Sequence, residues 1–103
     1  MSAPPTAPRV LRIHAHAPEA ALYELLMLLF EADELRVWLG LLPGGDALVG
    51  ALPGAATPKS TLCFEAADLL RRRGHVDAAL FDALRRHAPR RAALVTQVQG
   101  RWG

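Results

Sequence analysis

Leu69-Leu70-Arg71-Arg72-Arg73-Gly74-His75-Val76-Asp77-Ala78-Ala79-Leu80-Phe81-Asp82-Ala83-Leu84 is the stretch that decides the fold. Its first half ends a helix. Three arginines crowd the last turn, where the helix dipole favours cations, and Gly74 suits the left-handed residue that closes a helix. Its second half starts another. Asp77 is a good N-cap, and Leu80, Phe81 and Leu84 then repeat at i, i+3 or i+4 on one face. Two helices joined by so short a link must turn back on each other.

The same grammar extends in both directions. Upstream, Thr57-Pro58 reads as a cap and a first-turn proline, and helix 4 then turns Leu62, Ala66, Leu69 and Leu70 inward. Downstream, Pro89 closes helix 5 and opens helix 6, which buries Leu94, Val95 and Val98 with Trp102 one turn on. Toward the N-terminus, Pro18 opens a helix to about Phe30 with Leu22, Leu25, Leu26 and Leu29 at helical spacing. Asp33 is the expected cap of helix 2, whose apolar face is Leu35, Trp38, Leu39 and Leu42. Pro43-Gly44-Gly45 stops it. Asp46 is the expected cap of a short helix 3 through Leu52, and Pro53-Gly54 breaks that one. Met1–Pro8 is Pro, Ala, Ser and Thr, and Val10–His16 favours no element. Residues 1–17 therefore read as a disordered or loosely ordered leader, and 18–103 as one helical domain.

Composition agrees. Ala, Leu and Arg lose little on entering a helix, and 103 residues can bury a core without staples. The expected fold is all-α, a compact antiparallel six-helix bundle. Cys63 has no partner for an internal disulfide, so a reducing cytoplasm is the natural setting. Leu25–Phe30 is the longest apolar run and is fenced by Glu24 and Glu31, far short of the roughly 20 residues of a membrane span.

Charge is sorted along the chain. Residues 19–46 hold six acids and one base; residues 59–103 hold nine bases and four acids. The expected acidic face comprises Glu24, Glu31, Glu34 and Asp46. The expected basic face comprises Arg71, Arg72, Arg85, Arg86, Arg90 and Arg91. Two different faces that attract one another make head-to-tail contacts, which give closed rings or open filaments.

Catalysis and cofactor binding find no support in the chain. His14 and His16 are two imidazoles where a metal site needs three or four ligands. Cys63 sits between Leu62 and Phe64 on a core-facing helix, whereas reactive thiols need an exposed, electropositive setting. Ser60 and Thr61 fit capping, and the glycine pairs lack the lysine and strand of a phosphate loop. His75 and His87 follow helix ends and suit terminal carbonyls or solvent. Nucleic acid is the alternative partner for the arginines. Base-reading helices offer Asn, Gln and Ser, and here only Gln97 and Gln99 stand available, so protein partners are favoured. Trp38 and Trp102 are core, rim or interface anchors.

The order of these segments resembles the bacterial effector-associated domains, also described as bacterial death-like domains. Phe30 followed by Asp33-Glu34-Leu35-Arg36 and Trp38 carries the first likeness. Ala51-Leu52-Pro53-Gly54 before a capped helix carries the second. The 69–84 stretch carries the third, and Ala88-Pro89-Arg90-Arg91 before the last helix the fourth. The resemblance covers about Pro18 to Trp102. It implies a death-fold bundle similar to the eukaryotic death effector and caspase-recruitment domains. It further implies a non-catalytic adaptor role in bacterial defence or signalling, with a like domain on an effector or sensor as partner. The readings kept beside it are a helical nucleic-acid binder, a cap that holds a partner enzyme off and, last, a small helical enzyme.

Overall fold

The computed structural model describes residues 12–54 and 56–102. Six α-helices follow in order: α1 Pro18–Leu29, α2 Ala32–Gly40, α3 Gly45–Gly50, α4 Lys59–Arg72, α5 Ala78–His87 and α6 Ala92–Trp102. A single 3₁₀ turn, Pro89–Arg91, precedes α6. Among the described residues there is no strand, and no helix is long and apolar enough to cross a membrane.

The turn after α4 is built as the sequence reads. Gly74 takes φ +70°, its N–H donates to the Arg71 carbonyl at 3.1 Å, and the His75 N–H donates to the Leu70 carbonyl at 2.9 Å. Together these bonds form the closure that glycine alone adopts without strain. Asp77 then accepts a 2.9 Å hydrogen bond from the Leu80 N–H and caps α5.

Three starts differ from the sequence reading. α2 is capped at Glu31, ahead of the expected Asp33, and the Glu34 carboxylate accepts from the Glu31 N–H at 3.1 Å. That bond satisfies an otherwise orphan donor, so Asp33 stays in the first turn and is not the cap. α3 starts from Gly44 in the left-handed conformation at φ +72°; Asp46 lies in its first turn, and the helix ends at Gly50. α4 has Pro58 as N-cap, one residue after the Thr57 expected there.

Gly45 fixes the corner between α2 and α3. It is buried, and a Cβ at this position would collide with the carbonyl oxygens of Leu39 and Gly40. Only glycine lets the two backbones approach so closely.

α1 is the central helix. Ala21, Leu22, Leu25 and Leu26 are fully buried, and α1 packs against both α4 and α6. α2 packs against α3 and α4, and α5 against α6. Leu25, Leu39, Leu69, Phe81, Leu84 and Val95 share one core, as their spacing predicts. Every buried residue of that core is apolar. Cys63 belongs to it, wholly inaccessible, and burial pushes its thiol above the usual range.

The packed unit starts earlier than Pro18. Residues 12–17, part of the expected loose leader, lie as an arm without regular secondary structure, with Ile13 in the core at 3% exposure. One buried aliphatic side chain and several main-chain hydrogen bonds hold the arm. The rest of that leader, residues 1–11, lies outside the described residues.

Candidate functional surface

The expected acidic face does not survive as one patch. Glu24 faces the arm: its carboxylate accepts from the His14 N–H at 3.0 and 3.1 Å and from the Ala15 N–H at 3.0 Å. It is half-buried and engaged with its own chain. Glu31 and Glu34 stay on the surface at the start of α2. Glu31 stands 3.4 Å from Lys59 Nζ but keeps 83% of its side chain exposed. Asp33 and Asp46 are exposed and form no ion pair among the described residues.

The basic face divides in the same way. Arg71 pairs with Glu19 of α1 and with Asp68 at 3.0 Å, and Arg72 pairs with Asp68 at 2.8 Å. Hydrogen bonds from Arg71, and then from Arg72, hold the Asp68 carboxyl below the usual carboxylate range. Arg85 pairs with Asp82 at 3.0 Å and turns its other nitrogen to Thr96 and Gln99 of α6. Arg71 and Arg85 thus tie helices together, while Arg72 pairs within α4. Arg73, Arg86, Arg90 and Arg91 are exposed and form no ion pair among the described residues.

The two charge signs meet at one end of the molecule. His87, on the last turn of α5, stacks on Phe30 at 4.5 Å and stands against Trp38, with Nε2 3.5 Å from a Glu34 carboxylate oxygen. A tilted Phe30–Trp38 pair at 5.1 Å backs it. His87 therefore packs as an aromatic wedge between α2 and α5, which its place after a helix end does not reveal. Beside it a cleft of about 560 Å³ is lined by Trp38, Leu41, Pro43, His75 and Arg86, among others. The acidic start of α2 and Arg86 of α5 are thus neighbours and not opposite poles.

Two features escape the charge reading. Val37 and Leu41 are 65% and 79% exposed. They stand four residues apart on α2, on the side away from Leu35, Trp38 and Leu39, so they form an apolar ridge along an exposed helix face. The signal was present in the sequence: two large aliphatics at i, i+4 outside the inward set. Phe64 is 60% exposed on α4 and meets Tyr23 of α1 edge-on at 6.4 Å. Together with Ala17, Pro18, Ala20 and Ala67 they line an apolar groove of about 510 Å³.

Among the described residues no three His, Cys, Asp or Glu side chains converge as metal ligands would. His14 and His16 are both exposed on the arm. Compared with protein-family models, with curated proteins and with solved structures, the chain finds no match in any of the three.

Proposed function

We propose that this chain is a non-catalytic interaction domain of the death-like kind. On this reading it recruits or clusters an effector by contact with a like domain, in a bacterial defence or signalling setting. The single observation that carries the proposal is the pattern of charges with no internal partner. Arg73, Arg86, Arg90 and Arg91 point to solvent without an ion pair, and so do Asp33 and Asp46. Charges that the fold does not use remain available to steer a partner and fix its register.

The contact surface is narrower than the charge totals suggest. Glu24, Arg71, Arg72 and Arg85 leave it, because each is engaged within the chain. Asp33 and Asp46 remain unpaired on the acidic side, beside Glu31 and Glu34, which are exposed although each has a partner within the chain; Arg86, Arg90 and Arg91 remain on the basic side. Val37 and Leu41 supply the apolar part. Exposed charges steer association, but buried apolar anchors contribute most of the affinity at an interface. Because the acidic and basic patches differ, the contact is heterologous and extends from copy to copy.

Sedimentation velocity on the wild-type chain and on an Arg86→Glu/Arg90→Glu/Arg91→Glu variant tests this reading. The wild type is expected to self-associate, less so as salt rises from about 0.1 M, where screening acts over about 10 Å. The variant is expected to stay monomeric with an unchanged circular dichroism spectrum. A wild-type chain that stays monomeric up to millimolar concentration, yet binds DNA and RNA alike with a steep salt dependence, would replace this reading with a nucleic-acid one.

A further inference from the structure

The arm of residues 12–17 is held in a seat that consists almost wholly of side chains from α1 and α6. Gln97 of α6 accepts from the Ile13 N–H at 2.8 Å. Glu24 of α1 accepts from the two consecutive N–H groups of His14 and Ala15. Arg101 of α6 donates to the Ala15 carbonyl at 3.2 Å. Ile13 fills an apolar socket and is 3% exposed. The seat therefore reads main-chain groups and one aliphatic anchor. All of its own groups come from Glu24, Gln97, Arg101 and the core, none from the arm.

We propose that this seat is a peptide-docking site that accepts residues 12–17 of a second copy in exchange for its own. Three points on the molecule carry this. The ligand chemistry is on view, because the arm itself is the ligand, and an identical arm fits by construction. The arm joins α1 through a single extended residue, Ala17 at φ −66° and ψ 135°, followed by Pro18 at the first helical position. α1 is thus already complete without the arm, so release breaks no helical hydrogen bond: the one the Ala21 N–H gives to the Ala17 carbonyl at 2.9 Å stays on the helix side of the hinge. Lastly, the same contacts form in cis and in trans, which makes exchange of an identical element a low-cost route to association.

The balance between the two is set by concentration. A short tether supplies an effective concentration of about 1 mM. The arm is docked in cis, so its intrinsic dissociation constant lies below that figure. Dilute chains keep their own arms. Above that concentration, exchange links neighbouring chains. The proposal goes beyond the charge-steered contact and uses none of its residues.

Complementation tests it. An arm-defective chain, Ile13→Asp, keeps an intact seat; a seat-defective chain, Glu24→Ala/Gln97→Ala, keeps an intact arm. With ¹⁵N label in the arm-defective chain, addition of the unlabelled seat-defective chain is followed by NMR. The expected result is movement of the Gln97 side-chain amide and Arg101 Nε–H signals, saturating with a dissociation constant below about 1 mM. No movement up to that concentration, with both chains folded by circular dichroism, overturns the proposal. Ile13→Ser and Glu24→Gln serve the same test where the harsher changes unfold the chain. Repeating it with Arg86→Glu/Arg90→Glu/Arg91→Glu in both chains separates the two readings. Arm docking is expected to persist there, whereas head-to-tail assembly is expected to be lost.

Discussion

The seam around α1 and the end where α2 meets α5 are made from similar residues and serve opposite purposes. At the seam, Leu22, Leu25 and Leu26 of α1 meet α4 and α6, and among the described residues no polar or charged residue is buried. At the α2–α5 end, Phe30 and Trp38 are buried, but His87 is wedged beside them against Glu34, Arg86 rims the cleft, and Val37 and Leu41 are left in water. The seam has spent its apolar surface on the fold. The other end has not, and an unspent apolar ridge edged by both charge signs is what an interface core with a polar rim requires. The lesson is that the total of Leu, Val and Arg does not locate a surface; the residues left over after the fold is satisfied do.

The largest effect separates the regions by stability. Leu25→Ala at the seam is expected to lower unfolding free energy by about 3 kcal/mol, within the 2–5 kcal/mol of buried leucine truncations. Urea unfolding measures it. A loss under about 1 kcal/mol, as a half-exposed site shows, would mean that α1 is not the centre of the core.

Next is Cys63→Ala, expected to cost about 1 kcal/mol and to leave self-association intact, since a small apolar group is removed from a closed core. Rapid alkylation of the native chain at neutral pH would contradict the burial that pushes this thiol up.

Leu41→Asp on the ridge sharpens the comparison from the other side. Stability is expected to change by no more than about 0.5 kcal/mol, as exposed sites do, while self-association weakens at least tenfold by sedimentation. Unchanged association would remove the ridge from the contact and leave the charges alone to carry it.

The contrast also explains what the sequence could tell. The seam was legible because its signal is local: apolar spacing between strong breakers places Leu22, Leu25 and Leu26 inward, and Gly74 with Asp77 marks the turn outright. Where two signals competed, the reading slipped by a residue or more. Asp33 lost the cap of α2 to Glu31 because Glu34 reaches back to the Glu31 N–H, and a carboxylate at either place looks equally suitable. The candidate surface was legible only as charge. Whether Glu24 faces a partner or its own arm depends on where residues 12–17 run, and whether Arg71 is available depends on Glu19 of another helix. Such contacts between segments distant in the chain leave no spacing to read. Val37 and Leu41 did leave one.

The smallest effect is a pH dependence. Hydrogen bonds from Arg71 and Arg72 depress the folded-state pKa of Asp68, so its contribution is present above the unfolded value, ordinarily about 3.9, and is lost as pH falls through the lower folded value. The group lies at the surface, where ion pairs are screened, and the gain is slight. The stability difference between wild type and Asp68→Asn is expected to be constant near neutrality, to begin falling at about pH 3.9, and to vanish only below the lower folded value. A difference that grows on acidification would reverse the sign of this coupling.

The most direct measurement mixes two charge-reversed chains. One carries Arg86→Glu/Arg90→Glu/Arg91→Glu, the other Glu31→Lys/Asp33→Lys/Asp46→Lys. Each keeps one native face, so neither is expected to assemble alone. Mixed in equal amounts at low salt, they are expected to co-assemble into alternating species that grow with concentration, because the native faces pair and the two reversed faces are again opposite in sign. A mixture that remains monomeric while the wild type assembles would contradict a contact between these two faces, and so would either variant assembling as the wild type does.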